Sequence, residues 1–188
     1  VLSGATNATI TTATGTATID DTADTPTLSL SSFSTFEAGG IQPAFRVTRS
    51  GASDIATTVT FSTGGGTATA GADYNPQTGI TVSVPAGGSG SFDDVNLDIL
   101  DEAIPVYEGV ETIGGTIGLP TNANLGITDA TAAISDATDA PTLTISGLTI
   151  AEEPAGAQAA FTVTRTGLTN IAATVTLNTA NVLVRLHP

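Results

Sequence analysis

A chain of 188 residues that is 40% apolar can bury a core, which excludes a disordered acidic tail. Its four arginines, Arg46, Arg49, Arg165 and Arg185, face 18 acidic side chains for a formal charge of −14. That field repels phosphate backbones and anionic lipid, so nucleic-acid binding and membrane insertion are not expected and cations are the natural partners. The lack of cysteine rules out disulfides and thiolate metal sites, and Thr- and Gly-rich acidic composition of this kind is compatible with a bacterial extracellular or cell-surface protein. No basic-then-apolar signal opens the chain, and any signal is expected outside this stretch.

In chain order, the first segment is marked by a repeat. Ile19-Asp20-Asp21-Thr22-Ala23-Asp24-Thr25-Pro26-Thr27-Leu28 returns as Ile134-Ser135-Asp136-Ala137-Thr138-Asp139-Ala140-Pro141-Thr142-Leu143. Phe45-Arg46-Val47-Thr48-Arg49-Ser50-Gly51 returns as Phe161-Thr162-Val163-Thr164-Arg165-Thr166-Gly167, one residue farther on than the first pair of blocks requires. The period is a domain length. Residues 1–24 therefore read as the C-terminal part of a first copy, 25–139 as a complete copy, and 140–180 as the N-terminal half of a third.

Within the complete copy no stretch shows helical periodicity, and strand-type alternation recurs. Candidate strands are Leu28–Leu30, Phe45/Val47, Thr57/Val59/Phe61, and Ile80/Val82/Val84 ending at the Pro85-Ala86-Gly87-Gly88 breaker. Val95/Leu97/Ile99 then runs into Asp101-Glu102, and Ile113–Leu119 and Ile127–Ile134 follow. About seven short strands with turns between them predict an all-β, immunoglobulin-like antiparallel sandwich, with a closed barrel as the alternative. In the third copy Ala173/Val175/Leu177 repeats the alternation, and residues 181–188 leave the pattern, as a truncation or cloning junction would. Half a sandwich exposes its inner face, so a homo-oligomer or a strand swap through the incomplete copies is expected.

Acidic residues gather where strands end: Glu37 before Gly39-Gly40, Asp73 at the close of a long loop, then Asp101, Glu102, Glu108, Glu111, Asp136 and Asp139. Loops at one end of a sandwich meet in space, so these can share a pole. Like charges about 5 Å apart repel by roughly 3 kcal/mol at an effective dielectric near 20, and a hard dication reverses the sign. Calcium accepts about 6–8 oxygens in flexible geometry, whereas magnesium demands stricter order. With no cysteine and with His187 as the single histidine, zinc is disfavoured.

Other readings stand beside this one. Asp73-Tyr74 can close a turn, Asp136 and Asp139 can be solvated linker residues, and Glu111 is expected to form a rim salt bridge with Arg46 or Arg49. Asp93, Asp94 and Asp98 are expected to keep an edge strand soluble, without chemistry. Catalysis is not expected: the histidine lies in the off-pattern tail, no serine stands in a nucleophile elbow, and Gly64-Gly65-Gly66 lacks the lysine of a phosphate loop. The acidic run before Glu102 lacks the turn glycine of an EF-hand.

Phe36-Glu37-Ala38-Gly39, Phe45-Arg46-Val47-Thr48-Arg49, Gly66-Thr67-Ala68-Thr69-Ala70-Gly71-Ala72-Asp73-Tyr74, Val84-Pro85-Ala86-Gly87, Leu97-Asp98-Ile99-Leu100-Asp101-Glu102, Glu108-Gly109-Val110-Glu111-Thr112 and Ile134-Ser135-Asp136 occur in the order in which the Calx-beta family carries similar segments. The chain resembles that family across the middle copy and both partial ones. The resemblance implies a seven-stranded sandwich of Calx-beta type that binds Ca2+ at one end, beside the junction with the next domain. It implies Glu37, Asp73, Asp101, Glu102, Glu108 and Asp136 as ligands, Asp21 and Asp24 as remnants of the first copy's site, and Glu152 or Glu153 as the start of the third's. Family members often carry paired aspartates where this chain has Asp101-Glu102 and Asp136-Ala137, and three extra residues separate Glu102 from Glu108, which implies fewer ions or weaker binding. Asp139 stands in for the missing partner of Asp136. The expected role is a calcium-binding structural or adhesive repeat whose ion rigidifies the joints between neighbouring repeats; the alternatives are a metal-independent spacer or stalk, or an accessory module of an extracellular enzyme.

Overall fold

The structure, a computed structural model, describes residues 1–19, 24–102, 104–149 and 160–179. Asp21, Glu152, Glu153 and the tail 181–188 with His187 lie outside the described residues. In chain order the strands are β1 (Thr27–Ser32), β2 (Ser34–Phe36), β3 (Gly40–Ser50), β4 (Thr57–Gly66), β5 (Ile80–Val84), β6 (Phe92–Ile99), β7 (Val106–Tyr107), β8 (Val110–Thr121), β9 (Asn124–Leu125), β10 (Asp129–Ser135), β11 (Thr142–Gly147), β12 (Phe161–Thr166) and β13 (Leu168–Thr169). One 3-10 turn, Ala137–Asp139, follows β10.

Residues 27–135 form two sheets, of order β6-β3-β1-β9 and β2-β10-β8-β4-β5. Pairing is antiparallel except where the short β9 joins β1 and the short β2 joins β10. The strand count exceeds the expected seven for a local reason: the first stretch breaks at Phe33, so β1 serves one sheet and β2 the other, tied by Thr35 Oγ1 donating to Ala133 O. Alternation read from the sequence reappears as burial, with Val59 and Phe61 of β4, Val82 and Val84 of β5, and Val95, Leu97 and Ile99 of β6 all inside. Burying each such side chain contributes about 1.5–3 kcal/mol before conformational entropy is subtracted. Phe45 and Phe61 cross between the sheets with ring centroids 5.1 Å apart. Gly115 makes room for them, since a Cβ there would stand 2.6 Å from Phe45 Cε1 and 2.9 Å from Phe61 Cε2.

β3 runs from one pole to the other. Its first residue, Gly40, pairs with Ile99, and its last, Ser50, with Thr27. The first pole collects the turn after β2, the loop from Gly66 to Tyr74, the start of β8 and the exit of β10. At the opposite pole Arg49 is fully buried and donates to Pro85 O at 2.9 Å and Gly87 O at 2.7 Å.

After the sandwich, β11 pairs with β12 in a ladder exposed along its length. Its register, Thr142↔Thr166 and Leu143↔Arg165, copies Thr27↔Ser50 and Leu28↔Arg49 of β1 and β3. No helix among the described residues is long and apolar enough to cross a membrane.

Candidate metal centre

Each element at the first pole holds one carboxylate by a local device. Glu37 follows β2, its N–H donating to Ser135 O at 3.0 Å. The turn beyond it is clamped by Gln42, whose Nε2 donates to Phe36 O at 2.6 Å and whose Oε1 accepts Phe36 N–H at 3.0 Å. Gly39, at φ +67°, lets that turn close against Asp101. A side chain at this φ would be strained.

Asp73 sits in a loop that begins where Gly66, at φ +96°, meets Thr112 so closely that no Cβ fits. Thr67 and Ala68 donate to Thr112 O, and Tyr74 buries its ring beneath the loop. Asp73 Oδ2 then accepts Thr69 N–H at 2.5 Å, and Asp73 O accepts Leu100 N–H at 2.9 Å. The turn-closing role expected as an alternative is real, and Asp73 still presents a carboxylate oxygen toward Glu37 and Glu108.

Asp136 leaves β10 and accepts the N–H of Glu108 on Oδ2 at 2.5 Å. Its Oδ1 has no hydrogen-bond partner although the residue is only 1% exposed. Glu102 Oε2 is likewise buried and unpartnered. Glu108 is tied from outside the sandwich, with Asn170 Nδ2 donating to its Oε1 at 2.6 Å.

Glu37, Asp73 and Glu108 each present a carboxylate oxygen, and the three lie within 4.8 Å of one another. Burial, followed by the charges of Glu102, Asp136, Asp73 and Glu108, pushes Glu37 up to about 8. Glu111 is pushed up to about 7 by burial, by its hydrogen bond and charge contact with Asp73, and by Glu108 and Glu102. Glu108 rises through burial and then Glu102, and Asp139 rises through burial and then Asp136 and Asp101. These directions mean that the pocket resists holding all its negative charges at once. The nearby cations are engaged elsewhere: Arg46 pairs with Asp94 through bonds of 2.6 and 2.9 Å, and Arg49 binds carbonyls at the other pole.

Of the residues expected from the sequence, Glu37, Asp73 and Glu108 form the inner group, and Glu102 and Asp136 aim buried oxygens beside them. Asp101 is exposed against Gly39, and Asp139 stands half-buried beside Asp136, with its N–H donating to Asp136 O. Asp93 and Asp98 stay on the edge strand β6, while Asp94 is the partner that Arg46 takes.

The expected rim salt bridge of Glu111 is not formed: Glu111 lies at the acidic pole, beyond reach of Arg49, and joins Asp73 instead. A signal was present, because Glu111 has the strand parity of the buried Ile113 and Ile117 and so faces inward. Asn170 carries no comparable mark.

An all-oxygen set with buried unpartnered atoms suits a hard divalent cation of variable coordination, and calcium fits it better than magnesium. The Calx-beta domain family matches residues 20–141. The chain belongs to the Calx-beta family. Similar solved structures include the apo-form Calx CBD1 domain, at 23% identity over 58% of this chain and 96% of that one with a TM-score of 0.49. The calcium binding domain CBD12 of CALX1.1 shows 24% identity over 58% of this chain and 43% of that one, with a TM-score of 0.48. The Calx CBD2 domain shows 17% identity over 57% and 85%, with a TM-score of 0.45. No curated protein matches the chain. In this Calx-beta domain the acidic pole is the candidate centre.

Proposed function

We propose that residues 25–139 form a calcium-binding structural repeat of a secreted or cell-surface protein, with 1–24 and 140–180 belonging to neighbouring repeats. The ion would stiffen the joint with the repeat that follows. The observation that carries this reading is the convergence of Glu37, Asp73 and Glu108 oxygens within 4.8 Å, beside the buried, unpartnered Oδ1 of Asp136.

Glu37, Asp73, Glu102, Glu108 and Asp136 would hold the ion, with Asp101 and Asp139 at the rim and Glu111 as an inner addition. The ion supplies positive charge. The residues do the rest: Glu37 brings the β2–β3 turn, Asp73 the β4–β5 loop, Asp136 the exit of β10, and Glu108 the segment that meets β13. Once their repulsion is offset, loops distant in sequence are pinned to one point, and Glu108 extends the pin to Asn170. The cysteine-free, Thr- and Gly-rich acidic composition is compatible with an extracellular setting.

Calorimetric titration with calcium tests the reading together with melting in calcium and in chelator. At 100 times its dissociation constant the ion adds about 2.7 kcal/mol, or on the order of 10 °C. Absence of binding heat together with superimposable melts would leave a metal-independent spacer.

A further inference from the structure

A hollow of about 820 Å³ opens at the pole opposite the acidic centre, lined by Asp24, Pro26, Ser53, Asp54, Ile55 and Asn122. Its floor has a twin elsewhere in the chain. Gly51, at φ +94°, packs on Pro26, and Gly167, at φ +102°, packs on Pro141 in the same way. Ser53 Oγ lies 2.8 Å from Ile55 O and accepts Ile55 N–H at 3.4 Å; Thr169 Oγ1 lies 3.1 Å from Ile171 O and accepts Ile171 N–H at 2.9 Å. The adjoining ladders share their register, so loop 51–55 and loop 167–171 are one structure built twice.

The second of these loops is seated. β13 pairs in parallel with β7, Leu168 with Val106 and Thr169 with Tyr107. Thr169 Oγ1 donates to Tyr107 O at 2.8 Å, and Ile171 Cδ1 fills the space over Gly109. Asn170 Nδ2 donates to Glu108 Oε1 at 2.6 Å. The hollow is therefore shaped to receive an acidic pole of the Val106–Glu108 kind from a preceding repeat.

Three of the five loop residues differ, and the one that reaches the metal centre is Asn170 in the seated loop and Asp54 in the other. An amide donates directly to a carboxylate and needs no ion. A carboxylate in that place would set two carboxylate oxygens at hydrogen-bonding distance, an arrangement that requires a shared cation or proton. We propose that Asp54 supplies a carboxylate to the metal centre of a preceding Calx-beta repeat, so that this loop position decides whether a joint needs calcium. The Asn170 joint closes with or without the ion, which there only stiffens a contact already made, and the Asp54 joint closes only with it. This deepens the calcium reading above and rests on it.

The full chain carries the test. Hydrogen exchange of residues 168–171, whose Asn170 N–H donates to Tyr107 O, is followed in calcium and in chelator. The unaltered chain is expected to show similar protection in both. Asn170→Asp is expected to stay protected in calcium and to exchange about tenfold faster or more in chelator. Equal protection of the variant in both solutions, or its loss in both, overturns the proposal.

Asp54 itself is read in a chain with residues 25–139 duplicated in tandem, since the buried core lies entirely within that unit. The Asp54 loop of the second copy should show calcium-dependent protection, and Asp54→Asn should remove the dependence; an Asp54 loop indifferent to calcium overturns the proposal. Calcium titration of the unaltered chain separates the two failures. Binding there with an indifferent Asn170→Asp overturns the joint rule alone, and no binding at all overturns the calcium reading beneath it.

Discussion

The two poles of the sandwich solve a buried-charge problem in opposite ways. At one, Arg49 is fully enclosed, and Pro85 O, Gly87 O and Gly88 O accept its N–H groups, leaving only Nε without a partner. At the other, acidic groups face one another with no cation among the described residues at hand. The lesson is that backbone carbonyls let the protein satisfy a buried cation by itself. A cluster of buried anions has only a few N–H groups and protonation to draw on, and the mismatch leaves one pole self-sufficient and the other with repulsion that an added cation would relieve.

The largest expected effect falls on the self-sufficient pole. Arg49→Ala removes a fully buried side chain together with its donors to Pro85 O, Gly87 O and Gly88 O, and is expected to cost about 3 kcal/mol in denaturant melts, equally with calcium and with chelator. If the loss differed between the two solutions, the poles would not be independent. Next, Glu37→Gln is expected to raise the melting temperature in chelator at neutral pH, because the amide is neutral without the proton that Glu37 must take up on folding, and to cancel most of the gain on adding calcium, about 2.7 kcal/mol at 100-fold excess over the dissociation constant. A variant that kept the whole calcium gain would take Glu37 out of the centre.

A pH series sharpens the contrast further. Glu37 and Glu111 hold protons in the folded protein up to about 8 and about 7, while the unfolded chain releases them near the ordinary glutamate value of 4.5. The folded state thus binds more protons across that interval, and metal-free stability is fully present below it and falls as pH rises through it. Calcium should flatten the slope, and a melting temperature flat with pH in chelator would contradict the acidic clustering. The smallest effect belongs to neither pole: Asp94→Asn, at the half-exposed pair with Arg46, should cost less than about 1 kcal/mol by urea melts.

Much of this was legible in the residues. Alternation at Thr57/Val59/Phe61 and Val95/Leu97/Ile99 marks strands because each half-buried strand must face one sheet toward the other. Acidic strand ends pointed to a pole because loops at the same end of a sandwich converge. What stayed hidden depends on tertiary placement. Charge complementarity along the sequence points Glu111 to Arg46 or Arg49, but Arg46 pairs with Asp94 and the length of β3 separates Glu111 from Arg49. Asn170 reaches Glu108 only through the parallel pairing of β13 with β7, two-residue strands too short to leave a pattern. The break at Phe33 that moves the chain between sheets is flanked by Ser32 and Ser34, which exposed strand positions carry as readily, so it reads as one continuous strand.

The eleven residues of β3 hold hydrogen bonds to β1 on one flank and β6 on the other, and span roughly 30 Å from the turn beside Glu37 to the loop that carries Asp54. The chain enters beside one end of that span, at Thr27, and departs beside the other, at Ser135. Tension applied along a string of such units would enter at β1 and leave at β10, loading the β1–β3 and β2–β10 ladders in shear, where several bonds must yield together instead of one by one.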